Sequence, residues 1–422
     1  MYRYIKISCV VLVAGLLCDK LHAQMLYNNG CNLVITNGGI LYVNGAVENA
    51  TGLMSNAGHA TIKGYFRNGS NATGGNAAGE YIVYGDWENN NNFTADQSVV
   101  RLTGNAQQIT GSQSTTFYDL TLETQNAVKT QTIDATVGHV LALNDCELAT
   151  GDNTMNVTSP APAAITRGNG YVSSTGIGRL VRATNSTDAY LFPTGWYDNG
   201  NVLYRPAEIK PSVNDAQTFA VRMGWGDASV EGYDVNTKAG NVSAVNNRYF
   251  HLIKQSGSTA PSDLTLYFNA AADGDWNSIG RWQNIPEWED LALTTLSSGN
   301  PLSGRTKALW NDNSQQPHIL INSRELPHEY NFPNVFNPNS DHPENVTFHI
   351  INNTHLVTLQ DLKIYNRWGE PVFDSQRDGV MEWDGKYQGK LQPMGNYVFM
   401  ASVKINTTGE VKPASGNLSL LW

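Results

Sequence analysis

Four stretches, LYVNGAVEN (41–49), ATIKGYFRN (60–68), YIVYGDWEN (81–89) and VRLTGNAQQ (100–108), superimpose without gaps on Gly45, Gly64, Gly85 and Gly104, spaced 19, 21 and 19 residues apart. Two positions before each glycine stand Val43, Ile62, Val83 and Leu102; two positions after it stand Val47, Phe66, Trp87 and Ala106. This alternation is the period of a strand with one buried face. Four positions after the glycines come Asn49, Asn68, Asn89 and Gln108, a column that reads as an amide ladder stacked at the roughly 4.8 Å spacing of neighbouring strands. A repeat this short cannot enclose its own core, so copies must stack. The pattern predicts a β-solenoid of parallel β-helix type over residues 24–160. A plain antiparallel meander is the competing arrangement, since it would show the same alternation. TFYDLTLET (116–124) and GHVLALNDCEL (138–148) keep strand character without the glycine register, as irregular last coils or a cap would.

Composition agrees with an all-β chain. Only 15% of the 422 residues are charged, against about 25% in ordinary domains. Uncharged polar residues fill the gap, with 46 Asn beside 39 Gly. A chain with 41% hydrophobic residues is not disordered, and Asn and Gly supply the positive φ angles of turns. Arg3 and Lys6 ahead of the apolar run Val10 to Leu17, with Leu21-His22-Ala23 behind it, predict a secretory signal peptide over residues 1–23. That run is too short for a bilayer core of about 30 Å, and no later stretch is longer, so no membrane span is expected. Losing Arg3, Lys6 and Lys20 against Asp19 takes the formal charge from −10 to −12. So acidic a chain disfavours nucleic acid and anionic lipid as partners. Cys31 and Cys146 could form a disulfide or remain two buried thiols.

The repeat breaks at Ser159-Pro160-Ala161-Pro162. From there residues 161–327 read as short strands between turn clusters, as in an antiparallel β-sandwich. Trp276, Trp282 and Trp288 recur every six residues and form a candidate carbohydrate platform, with burial in a core as the alternative. Asp273, Asp275 and Asn277, like Asn337, Asn339 and Asp341, alternate as oxygen donors suited to Ca2+. Asx-turns would use the same residues, and no other cofactor is implied. There is no HExxH, CxxC, GxSxG or phosphate-binding loop, and His328, His342, His349 and His355 gather only near the C-terminal end. A glycosidase needs two converging carboxylates, whereas the position after the repeat glycines holds Ala46, Tyr65, Asp86 and Asn105. No catalytic residue is assigned, and Asp86 and Glu88 read as a solvated edge.

Residues 328–422, introduced by Glu325-Leu326-Pro327, form a third unit with explicit turn chemistry. Its ordered motifs are FPNVFNPN with Phe332, Asn337, Pro338, Asn339 and nearby Asp341; KIYNRWGEPVF with Tyr365, Asn366, Arg367, Trp368 and Gly369; WDGKYQGK with Trp383, Asp384, Gly385 and Gly389; and PMGNYVF with Gly395 and Tyr397. This succession resembles the gliding motility-associated C-terminal domain, the type B sorting domain of the Bacteroidota type IX secretion system. The resemblance implies an Ig-like fold that the outer-membrane translocon reads as an address after the signal peptide has led the chain to the periplasm. The expected protein is secreted or on the cell surface, structural or adhesin-like and non-enzymatic, meeting surface glycans or other cells. The alternative is a polysaccharide-binding or polysaccharide-degrading protein of β-helix lyase or glycosidase type.

Overall fold

The computed structural model describes residues 24–422 except 75–77, 284–285, 299–301, 313–314, 325–329, 353–356 and 407–408. The expected signal peptide, the Glu325-Leu326-Pro327 link, His328 and His355 lie outside the described residues. The chain is all-β and divides into two compact units, one ending at Ser323 and one spanning Arg324–Trp422.

Parallel pairing in the first unit excludes the meander. Strands Ile40–Val43, His59–Ile62, Glu80–Val83, Val99–Leu102, Thr115–Leu122, Ala135–Ala142 and Thr154–Val157 stack in parallel on one face. A second face stacks Val47–Asn56, Phe66–Asn68, Trp87–Asn89, Ala106–Thr110, Val128–Gln131, Glu147–Ala149 and Tyr171–Ser173. In the early coils the far end of Val47–Asn56 continues through Asn71–Thr73 and Asn92–Thr94 as a third face. The result is a solenoid of about seven turns.

The glycine column exists because the coils touch backbone to backbone there. Gly64 N donates to Gly45 O at 2.7 Å, and Gly85 N to Gly64 O at 2.8 Å. A Cβ on Gly85 would lie 2.5 Å from Tyr65 N, too near for any side chain. Inside, Trp87 packs on Phe66 at 4.5 Å and on Phe93 at 5.0 Å, and its Nε1 donates to Thr115 Oγ1 at 3.1 Å.

The amide ladder is present and begins one coil earlier than the glycine alignment places it. Asn28 Nδ2 donates to Asn49 Oδ1 (2.7 Å), Asn49 Nδ2 to Asn68 Oδ1 (3.2 Å) and Asn68 Nδ2 to Asn89 Oδ1 (2.9 Å). All four asparagines are buried. Asn68 Nδ2 also reaches Asn92 O at 3.0 Å. Replacing Asn68 with alanine therefore strands buried amides on both neighbours, at about 1–3 kcal/mol for each group left unpaired. Chemical denaturation of the full chain, with the exposed Asn71→Ala as control, measures this; equal stability of the two variants would show the ladder to be idle.

Gln108 does not extend the ladder. Ile109, five residues after Gly104, pairs with Trp87, two residues after Gly85. An odd offset turns a strand over, so Ala106 and Gln108 face outward while Gln107 and Ile109 are buried. In place of the ladder, Gln107 Oε1 accepts from Gly104 N (2.7 Å) and from the buried Lys129 Nζ (2.6 Å). Burial pushes the Lys129 ammonium down to about 8. Cys146 is a buried free thiol, so it does not bridge to Cys31.

Parallel pairing runs on past residue 160. Arg179–Thr184 pairs in parallel with Thr154–Val157 on one side and antiparallel with Gln217–Trp225 on the other. The proline-rich break is a short 3-10 turn, Pro162–Ala164, where a proline's missing N–H costs nothing. Beyond it, one sheet continues through Tyr249–Ser256, Pro317–Ser323 and Ser278–Trp282, and a second holds Tyr190–Phe192, Ala207–Pro211, Ser262–Phe268, Ser303–Trp310 and Thr294–Ser298. Phe219 and Ile253 from the first share a core with Ile209, Leu264 and Leu266 from the second.

The second unit is built on a five-stranded sheet. Val335–Phe336 runs parallel to Val411–Leu420, and Gly395–Ile405, Val357–Tyr365 and Pro371–Asp374 follow in antiparallel order. Its separate core gathers Phe336, Phe348, Trp383, Tyr397 and Phe399.

Candidate functional site

In the second unit the motif residues divide into packing, turn and display. Phe332 packs on Phe399 at 4.6 Å. The buried Trp383 donates from Nε1 to Lys386 O at 2.8 Å and meets Tyr397 at 5.1 Å, while the Tyr397 hydroxyl donates to Pro393 O at 2.7 Å. Asn337 Oδ1 accepts from Asn339 N, and Asp384 Oδ1 from Lys386 N, so both side chains close turns. Pro338 abuts Gly385 so closely that a Cβ there would sit 2.9 Å from the proline ring. Gly385, Gly389 and Gly395 all have positive φ, and Asp341 is exposed.

Between Tyr365 and Pro371 the chain reverses around Asn366. Its Oδ1 accepts from Trp368 N (2.9 Å) and Glu370 N (3.0 Å), and Gly369 takes φ 79°. That turn displays Trp368, which is 76% exposed, with the Arg367 guanidinium 5.3 Å from its ring. Residues 330–420 match the CHU_C type IX secretion signal domain. The secretion signal domain carries the engagement with the secretion system and points to export, to the cell surface or beyond it. No curated protein and no solved structure matches the chain. Among the described residues no helix is long and apolar enough to cross a membrane.

The tryptophan row is not a surface platform. Trp282 and Trp288 are buried and pair across the hairpin Ser278–Trp282/Trp288–Asp290, edge to face at 5.3 Å. Their six-residue spacing comes from the chain folding back. Trp276 is half-buried and donates from Nε1 to Asp273 O at 3.2 Å.

The calcium candidates do not converge either. Asp273 is buried against Arg205, which reaches Oδ2 through Nε at 2.5 Å and Oδ1 through Nη2 at 2.8 Å. Asn277 exchanges hydrogen bonds with the backbone of Ser323, both at 2.8 Å, and Asp275 is exposed. Among the described residues no three His, Cys, Asp or Glu side chains gather as metal ligands would.

On the solenoid surface, carboxylates alternate with arginine. Arg67 spans Glu48 (3.2 Å) and Glu88 (2.7 Å), and Arg101 spans Glu80 (2.5 Å) and Glu123 (2.6 Å). Partial burial raises the Glu88 carboxyl, but hydrogen bonds from Asn90 and Arg67 outweigh it and hold the group below its usual range. Asp86 Oδ1 accepts from Gln108 N at 2.7 Å.

A cleft of about 1030 Å3 opens between the last coils and the antiparallel part of the first unit. Its solenoid wall is one outward column, Val128, Glu147 and Tyr171, set by parallel register. Glu147 is held by the Tyr171 hydroxyl (2.9 Å) and Ser173 Oγ (2.5 Å), and Asp145 Oδ1 by Asn169 through N (2.7 Å) and Nδ2 (3.1 Å). The opposite wall is the hairpin Gly195–Asp198/Asn201–Tyr204. Asn199 and Gly200, both at positive φ, give it the tight turn that favours Asn-Gly. Gly195 lets the hairpin approach, since a Cβ there would meet the Tyr171 ring at 2.9 Å. Tyr197 stands 56% exposed on this wall. Arg167 lies 3.9 Å over the Tyr204 ring, and burial pushes the Tyr204 phenol up to about 12. Sequence reading missed the cleft because its residues are far apart along the chain; the Asn199-Gly200 turn was the one local signal.

Proposed function

We propose that residues 24–323 are the passenger of a secreted or cell-surface protein of structural or adhesin-like type, without catalytic activity. A signal peptide delivers the chain to the periplasm, and the C-terminal domain, an Ig-like sandwich, takes it across the outer membrane. The match to a type IX secretion signal domain carries this reading. The parallel coils, which share one core with the antiparallel sheets that follow them, suit a stiff extracellular stalk. Solenoid carboxylates engaged with Arg67 and Arg101 support a structural surface over a lyase or glycosidase surface.

The test is removal of residues 328–422 in the native host. The truncated chain is expected to stay inside the cell, in the periplasmic fraction, with none above background at the surface or in the medium. Continued appearance of the truncated chain outside the cell would overturn the reading.

A further inference from the structure

The cleft between the last coils and the Gly195–Tyr204 hairpin is a ready-made ligand site, and the geometry points to a neutral oligosaccharide as its occupant. The inference rests on the passenger reading insofar as residues 24–323 must meet glycans outside the cell.

Its size lies at the upper end of the roughly 300–1,000 Å3 of small-molecule sites, enough for an extended chain of sugar rings. The lining chemistry narrows the occupant further. Sugar rings present an apolar C–H face and an edge of hydroxyls that both donate and accept. The exposed Tyr197 ring offers a flat surface for the former, beside Tyr204, whose ring the Arg167 guanidinium already covers at 3.9 Å. Asn126, Asn169 and the carboxylates of Asp145 and Glu147 offer both donors and acceptors for the latter. Both carboxylates are pinned by neighbours, Asp145 by Asn169 and Glu147 by Tyr171 and Ser173. A carboxylate accepts at about four lone-pair positions, so each keeps capacity for a ligand hydroxyl in a fixed direction. Such preorganisation reduces the ordering cost of binding.

Charge selects against acidic polysaccharides. Arg205, at the cleft floor, is already neutralised by Asp273. That leaves Asp145 and Glu147 against Arg167, a net negative site in an acidic chain that repels uronates. A wholly apolar ligand is disfavoured as well, because it would desolvate two carboxylates without pairing them.

The experiment uses the purified full chain on an array carrying neutral hexose and pentose oligosaccharides beside oligogalacturonates, followed by titration calorimetry with the best-retained glycan. Neutral oligosaccharides are expected to be retained and oligogalacturonates not. Tyr197→Ala, on an exposed position, should weaken binding at least tenfold with an unchanged melting temperature, and Glu147→Gln should weaken it several-fold. Trp368→Ala, in the other unit, should bind as the parent does. Absence of retention of any neutral glycan, preference for the uronates, or parental binding by Tyr197→Ala would each overturn the inference. Binding by purified protein is read without export, so loss of this site and loss of the export reading are separately visible.

Discussion

Replacing Asp273 with alanine is expected to destabilise the first unit by about 3–5 kcal/mol, the cost of leaving a buried charge without its partner. The Asp273 side chain is 2% exposed and that of Arg205 5%. Besides the two-pronged contact with Arg205, Asp273 Oδ2 accepts from the Tyr249 hydroxyl (3.0 Å) and Asn269 N (2.9 Å), and Arg248 lies 3.7 Å from Oδ1. Burial, and then the Asp273 charge, push the Tyr249 phenol well above its ordinary range. Asp273→Asn keeps the shape but removes the charge, so it should also be costly, though less so. Urea denaturation of the full chain measures both. The same experiment separates a structural carboxylate from a calcium ligand. If Asp273 bound Ca2+ with Asp275 and Asn277, chelation would reproduce the loss, whereas an Arg205 anchor predicts the same midpoint with and without EDTA. A loss below about 1 kcal/mol, the size of an exposed pair, would mean that water reaches the pair.

How much of this was legible in advance follows from where each signal resides. The coils were legible because each demand recurs in register: a glycine where backbones touch, an aromatic or aliphatic residue inside, an asparagine on the ladder. The same periodicity misled at Gln108, because an insertion between glycine and strand leaves local composition unchanged while it reverses the buried face. Ser159 to Pro162 looked like a domain end because prolines interrupt a pattern, yet sheet continuity depends on Arg179–Thr184, a partner that no local window contains. Trp282 and Trp288 looked like a surface row because spacing alone cannot tell a row from a hairpin pair. The motifs of residues 330–420 were readable because turn residues at fixed offsets are local chemistry, with Asn366 and Gly369 as the plainest instance. The cleft was unreadable: Val128, Glu147 and Tyr171 become neighbours only once the coils stack, and Tyr197 only once the hairpin packs on Tyr171.

Acid should weaken the first unit well above the pH at which carboxylates titrate. His251 is buried, and burial lowers it from 6.5 to about 4, against a smaller upward pull from its hydrogen bond to Arg205 O. His318 is buried as well and lowered chiefly by burial, with the Asp312 carboxylate opposing the shift and Arg281 and His251 adding to it. Its Nε2 accepts from Trp310 Nε1 at 2.8 Å, so a proton at that atom would set two donors against each other. In the unfolded chain both imidazoles protonate near pH 6.5, so as pH falls below that value the unfolded state binds protons that the folded state refuses. Stability is complete above about pH 6.5, declines by up to about 1.4 kcal/mol per pH unit for each histidine, and levels off for this pair below about pH 4. Glu80 and Glu88 act in the same direction, but only below their ordinary range near 4.5. The melting temperature of the first unit should therefore fall between pH 7.5 and 5.0, where carboxylates contribute little. His251→Gln, which retains a donor toward Arg205 O, should flatten that slope by about half. The second unit, in which no histidine is buried among the described residues, should keep its melting temperature over the same range. A first unit equally stable at pH 7.5 and 5.0 would show that both imidazoles are open to water.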